Sequence, residues 1–253
     1  MAKAACQAAF ITGAAGGIGM GALAVALASR GVQVTILDLK VAQGEETVRL
    51  VEEQHEKIFY KPRSPSAIFI RCNVTKSDEL AAAFSRHQEM FGRLDVCINN
   101  AGIGEGKPFF NSEDWRRVID FNLVALIDGT AKAIQAMKEK GGFILILGYG
   151  ASLGPVPYMP VYAATKGWWV VRVCYTVRGN TAHLMDSPRD NLGFVKMERV
   201  LAAAFYLLDD ESMSGECIRI PVNKPTQIWP YVETKAKYTT LFKGGTVFTG
   251  AFE

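Results

Sequence analysis

The chain is poor in the residues that build metal centres and disulfide frameworks. Its 253 residues hold three histidines, His55, His87 and His183. They stand far apart, with no cysteine or acid at ligand spacing, so no metal site is expected. The five cysteines, at 6, 72, 97, 174 and 217, are odd in number, scattered and mostly set in apolar runs. They read as small buried hydrophobes of a reducing compartment, which points to the cytoplasm. No apolar run approaches the roughly 20 residues that span a bilayer, so a membrane is not an expected partner. The net charge is only +3, and the one basic stretch, "KIFYKPR", reads as a solvated connection; nucleic acid is not an expected partner either. The opening "MAKAACQAAFITG" leads straight into a glycine turn, as a first strand does and a secretory signal does not. Repeats, linkers and low-complexity segments are missing too, so residues 1–253 are expected to form a single domain.

What is present is a regular alternation. Apolar residues make up 49% and charged residues 21%, enough for a sizeable core. The short apolar run "QAAFIT" is followed by "GAAGGIG" and the Ala-rich helix "MGALAVALASR". "VQVTILD" is a second strand, "AQGEETVRLVEEQHEK" a helix and "AIFIRCNV" a third strand. "TKSDELAAAFSRHQEMFG" opens on a capping-box-like Thr75 to Asp78 and stops at Gly92. "RLDVCINNAG" and "GGFILILG" are further strands, separated by one long helix, "DWRRVIDFNLVALIDGTAKAIQAMKEK". Later, "MERVLAAAFYLLDD" reads as a helix and "GECIRIPV" as a strand. Strands alternating with helices predict right-handed βαβ units, and continuous apolar strands predict burial on both faces. The fold class is α/β, a Rossmann-like doubly wound parallel sheet.

Three places carry chemistry. "TGAAGGIG" follows a strand and opens a helix, so its backbone N–H groups and the helix dipole can face a pyrophosphate. Gly13, Gly17 and Gly19 permit the tight turn and the close approach of backbone to ligand. Asp38 ends the second strand 19 residues after Gly19. A carboxylate there can accept both ribose hydroxyls and would repel a 2′-phosphate, while Ala14 and Ala15 add no positive charge. The expected cofactor is therefore NAD rather than NADP, with Lys40 the one residue arguing the other way. Finally, Tyr162 and Lys166 lie one helical turn apart, on one face. A free tyrosine ionises near pH ~10. An ammonium beside it favours the phenolate, so Tyr162 is the expected general base in oxidation and Lys166 its tuner.

With "TGAAGGIG", Asp38, "NNAG" (Asn99 to Gly102) and "YAATK" (Tyr162 to Lys166) in this order, the chain resembles a short-chain dehydrogenase/reductase over residues 6 to about 170. The long helix further resembles that of the hydroxyprostaglandin-dehydrogenase-like branch, its plant members included. The resemblance implies that Ile18 joins the glycines of the nucleotide loop, and that Asn73 and Val74 lie near the adenine ring. It also implies that Asn99, Ala101 and Gly102 shape the sheet edge beside the cofactor, and that Asn122 holds a water behind the lysine. Tyr162 and Lys166 would contact the cofactor as well as act in catalysis.

The chain departs from the family pattern twice. A serine usually stands 13 residues before the tyrosine; position 149 is a tyrosine here, and the nearest serine, Ser152, is 10 residues upstream. Either Ser152 or Tyr149 supplies the second hydrogen-bond donor, or redox activity is greatly weakened; losing one such donor typically costs about 10²- to 10³-fold in rate. Secondly, "VRVCYTV" resembles the family's sixth strand arriving about 18 residues early. Either the Tyr/Lys helix is cut to two turns, or it runs on and the strand is lost. That helix builds the family's main dimer interface, so its truncation puts the homo-oligomer in doubt.

Loops at the carboxyl edge carry Ile103, Phe109, Phe110, Tyr149, Tyr158 and Met159, with Pro155 and Pro157. They suggest a bulky apolar alcohol or ketone as the small-molecule substrate. The tail "QIWPYVETKAKYTTLFKGGTVFTGAFE" is open between covering the site and lying on the surface. The leading expectation is an NAD-dependent oxidoreductase acting on a secondary alcohol or ketone. Its rival is a redox-silent family member that binds nucleotide or a small molecule.

Overall fold

A computed structural model describes residues 7–15, 21–58, 61, 64–106, 113–148, 159–167, 181–186, 195–210, 216–220 and 225–229, with the backbone alone for 181–186 and for 229. The strands are β1 (Ala8–Thr12), β2 (Gln33–Asp38), β3 (Ala67–Arg71), β4 (Val96–Asn99), β5 (Phe143–Leu147), β6 (Thr181–Asp186), β7 (Cys217–Ile220) and β8 (Gln227–Trp229). They form one sheet in the order β3-β2-β1-β4-β5-β6-β7-β8. Strands β1 to β7 pair in parallel, and β8 closes the edge antiparallel to β7. The helices are α1 (Ala22–Ala28), α2 (Val41–Lys57), α3 (Ser77–Phe91), α4 (Trp115–Ile119), α5 (Ala125–Met137), α6 (Pro160–Gly167) and α7 (Met197–Asp209). Among the described residues, no helix is long and apolar enough to cross a membrane.

Strand pleating sorts the core into two layers. Ala9, Ile11, Val34, Ile36, Ile98 and Leu145 face one side, under Leu23, Leu27, Val51, Ala204 and Leu207 from α1, α2 and α7. Phe10, Leu37, Cys97, Ile144 and Ile146 face the other, against Leu80, Phe84, Leu126 and Met137 from α3 and α5. Alternate residues of one strand thus serve opposite layers, and every position of β1 is buried. Phe10 is fully buried and stacks on Phe84 with ring centroids 4.1 Å apart; burying such a side chain is worth about 2–3 kcal/mol.

His87 shows how a polar group is accommodated in this core. It is 1% exposed; its Nε2 lies 2.9 Å from the Arg93 carbonyl and its Nδ1 2.7 Å from the Thr35 hydroxyl. A carbonyl only accepts, so Nε2 carries the proton and Nδ1 accepts from Thr35. Burial brings the imidazole down to about 4, against the opposing pull of the Arg93 carbonyl and Asp95.

Several sequence expectations need correction. The capping box at Thr75 does not form: the Thr75 hydroxyl and N–H both donate to the Asn73 Oδ1, and α3 begins two residues later without a side-chain cap at Lys76. Glu79 instead reaches back to accept the Asn73 N–H at 2.8 Å. The single long helix is interrupted by a π-helical turn, Asp120–Val124, between α4 and α5. The place beside β5 belongs to Thr181–Asp186 rather than to "VRVCYTV", which lies outside the described residues, as does any continuation of α6 beyond Gly167. Part of the tail is neither lid nor loop, because Gln227–Trp229 extends the sheet.

Candidate functional site

The sheet reverses its winding between β1 and β4: β2 and β3 lie to one side of β1, and β4 onward to the other. Such a switch point leaves a crevice at the carboxyl ends of the strands. The turns after β1 and β4 are latched together there. Thr12 Oγ1 accepts the N–H groups of Asn100 and Ala101, both at 3.1 Å. The Asn100 carboxamide donates to the carbonyls of Thr12 and Gly13 at 3.0 and 2.8 Å. Gly13 has φ 66, and a Cβ on it would fall 2.7 Å from the Ala101 Cα. Only glycine fits both the backbone conformation and the gap.

Asp38 borders the same crevice from the end of β2. Its Oδ2 accepts the Ala15 N–H at 3.0 Å, and its Oδ1 accepts those of Leu39 and Lys40 at 2.7 and 3.1 Å. A carboxylate offers about four lone-pair directions, so room remains for a ligand hydroxyl but not for a second anion. Gly17, Ile18 and Gly19, the rest of the nucleotide loop, lie outside the described residues. Asn73 spends its Oδ1 on Thr75, as described above, and the Val74 side chain is buried in the core layer beneath. Asn99 turns its carboxamide to the Thr130 hydroxyl of α5 at 3.1 Å, where Gly129 allows the close approach.

Tyr162 and Lys166 stand on α6, which Pro160 opens; a proline is well suited to a first turn, where the N–H has no intrahelical partner. Lys166 is 8% exposed, and its Nζ lies 5.8 Å from the centre of the Tyr162 ring and 3.4 Å from the Leu147 carbonyl, to which it donates. Burial brings the ammonium down to about 8. Asn122 lies in the π-helical turn and is 1% exposed. Its Oδ1 accepts the Ile103 N–H at 2.8 Å; its Nδ2 donates to the Ile103 carbonyl at 2.8 Å and to Thr165 Oγ1 at 3.2 Å. Thr165 in turn donates to the Tyr162 carbonyl at 2.8 Å. Gly102 sits in the middle, where a Cβ would meet Asn122 Oδ1 at 3.1 Å and Lys166 Nζ at 3.2 Å. Asn122 sits within this π-turn, a feature common at functional sites, and its carboxamide faces Ile103 and Thr165.

Tyr162, Lys166, Asn122, Ala101 and Gly102 are therefore gathered around the end of β4, with Gly13 next to them and Asp38 across the crevice. Tyr149 and Ser152 lie outside the described residues, as do Phe109, Phe110, Pro155, Pro157 and Tyr158. Reading the sequence gave Thr12, Asn100 and Thr165 no separate role and missed Glu105. The first three stand inside or beside the quoted motifs; Glu105, whose Oε1 accepts the Tyr162 N–H at 2.7 Å, had no local signal. Among the described residues, no group of three or more His, Cys, Asp or Glu side chains is placed to hold a metal ion.

Residues 7–171 match the short chain dehydrogenase family model, and the chain belongs to that family. It is 34% identical over 162 residues to human 15-hydroxyprostaglandin dehydrogenase [NAD(+)], an alignment spanning 62% of this chain and 56% of that enzyme. It is 32% identical over 159 residues to a 3beta-hydroxysteroid dehydrogenase of Mediterraneibacter gnavus, spanning 62% of this chain and 54% of the relative. The chain thus matches little more than half the length of these relatives. In fold it resembles an alcohol dehydrogenase of Thermococcus sibiricus complexed with 5-hydroxy-NADP, with a TM-score of 0.72 and 23% identity, covering 87% of this chain and 99% of the other.

Proposed function

We propose that the chain is an NAD(H)-dependent oxidoreductase that moves a hydride between the cofactor and a secondary alcohol or ketone, with Tyr162 as the proton-transfer group. The observation that carries this reading is the buried Lys166 one turn from Tyr162, locked through Thr165 and Asn122 to the loop at the sheet's switch point. Bound NAD would supply the hydride acceptor. In the oxidative direction Tyr162, as phenolate, takes the hydroxyl proton of the alcohol. Lys166 holds the phenolate by its positive charge, which at neutral pH survives burial. The Leu147 carbonyl accepts from the ammonium, and Gly102, lacking a Cβ, leaves room for it. Asp38 and the turn at Gly13 bind the adenosine side, and the negative charge of Asp38 discriminates against a 2′-phosphate. The NAD(+) and 3beta-hydroxysteroid enzymes among the relatives support the cofactor and a bulky apolar substrate class.

The test is NADH formation, followed by its near-ultraviolet absorbance, against a panel of secondary alcohols. Tyr162→Phe is expected to abolish turnover while leaving NAD binding, measured calorimetrically, within about threefold. Turnover that survives Tyr162→Phe refutes the assignment. A second reading rests on Tyr149 standing where the family usually has serine: a member that binds nucleotide without hydride transfer. NAD uptake with no turnover of any alcohol favours it. Tyr149→Ser then separates the cases, since restoring a lost donor should raise the rate by about 10²-fold or more.

A further inference from the structure

Glu105 follows the "NNAG" turn and is flanked by Gly104 and Gly106. A Cβ at either glycine would meet nothing within 4 Å. Such a segment has no steric reason to keep one conformation, and ordering it costs about 1–2 kcal/mol per residue in backbone entropy. Polar contacts hold it instead. Ile103 exchanges both its backbone groups with the Asn122 carboxamide, and two residues on, the Glu105 carboxylate accepts the Tyr162 N–H.

That N–H lies in the first turn of α6, where the Ala163 N–H donates to the Met159 carbonyl. First-turn amides have no partner within their own helix. Met159, just before the helix, has no side-chain oxygen with which to cap them. Glu105 does so from 57 residues away in sequence, and the helix dipole favours its negative charge at that end.

A ring of hydrogen bonds results. It runs from the Tyr162 N–H to Glu105, along the chain to Ile103, through Asn122 to Thr165, and from the Thr165 hydroxyl back to the Tyr162 carbonyl. We propose that Glu105 is a positioning residue, which fixes the backbone of Tyr162 from its amide side while Thr165 fixes it from its carbonyl side. The inference rests on the reading of Tyr162 as the proton-transfer group. Correct placement of a reacting group within a few tenths of an ångström is worth orders of magnitude in rate, and a loop built on glycines can deliver it only if the ring stays closed.

The experiment uses the full chain labelled with ¹⁵N-tyrosine, with the Tyr162 amide signal assigned through its disappearance in Tyr162→Phe. Hydrogen exchange is followed at Tyr162, with the Tyr206 amide of α7 as internal control. Glu105→Ala is expected to speed exchange at Tyr162 by about tenfold, without change at Tyr206. Glu105→Gln keeps an acceptor oxygen and should stay within about threefold of the parent chain. In turnover with NAD and a secondary alcohol, Glu105→Ala should lower kcat by about tenfold with KM for NAD little changed, and Glu105→Gln should restore most of it. Unchanged exchange at Tyr162 in Glu105→Ala overturns the proposal, as does an unchanged kcat. If the parent chain turns over no alcohol, the redox reading fails by itself, and the exchange comparison alone decides whether Glu105 holds Tyr162.

Discussion

Replacing Lys166 with methionine should make the protein more stable and abolish the hydride transfer proposed for it. Lys166 is buried and burial holds its ammonium down from 10.5 to about 8. A base whose folded value is depressed is penalised whenever it must stay protonated inside the fold. Below pH 8 both folded and unfolded chains carry the ammonium, and the full penalty applies. Between about 8 and 10.5 the folded chain releases the proton first, and the penalty fades as the pH rises. At about 1.4 kcal/mol per pH unit, the penalty at pH 7 is ~3 kcal/mol. Methionine fills a similar volume without charge. It forfeits the 3.4 Å bond to the Leu147 carbonyl, worth about 1 kcal/mol. Lys166→Met should therefore gain about 2 kcal/mol at pH 7, or ~4–8 °C in Tm for a chain of this size. Thermal and urea unfolding at a series of pH values measures it, and NADH formation should be lost in parallel. A variant less stable than the parent at pH 7, or a gain that does not shrink toward pH 10.5, refutes the argument.

Acid should weaken the fold through His87: its folded value of about 4 lies below its ordinary 6.5, so the stability is complete above about 6.5 and lost as pH falls through 4. The loss is ~3 kcal/mol, and urea midpoints from pH 7 to 4 should fall less steeply in His87→Gln than in the parent. Gly13→Ala forces a positive φ and sets a Cβ against the Ala101 backbone; calorimetry should show NAD affinity reduced by about tenfold or more. Gly44→Ala improves helix propensity in α2 by about 1 kcal/mol. Its Cβ nevertheless overlaps the Phe69 ring, so Tm should fall, and Gly44→Ala with Phe69→Val should recover part of the loss.

What was legible in the sequence followed from local periodicity. Strands such as "AAFIT" and "FILIL" are buried on both faces, and nothing but continuous apolar character is needed to recognise them. Tyr162 and Lys166 could be paired from spacing alone because a helix has a fixed pitch. The π-turn at Asp120–Val124 leaves no such trace. Its residues are ordinary helix formers, and the reward for the extra width is the bond set of Asn122 with Ile103 and Thr165, contacts 19 and 43 residues away. Thr75 misled for a related reason: a capping pattern was present, but Asn73, two residues earlier, offered the nearer acceptor. Strand β6 was missed because "TAHLMD" lacks the β-branched run that made "VRVCYTV" attractive. Glu105 could not be found locally at all, since its partner is a backbone N–H 57 residues onward.

The three peptide groups that bond to Asp38 change what an exchange at that position would do. The amides of Ala15, Leu39 and Lys40 all point at its carboxylate. Shortening the acid to a neutral residue such as Ser or Ala would do more than lift a repulsion. It would leave three donors aimed at one vacated spot beside a lysine, a nest shaped for the phosphate monoester that separates one nicotinamide coenzyme from the other. On the proposed reading, coenzyme choice would turn on a donor-for-acceptor inversion at a single strand end, with the receiving groups already in place in the main chain.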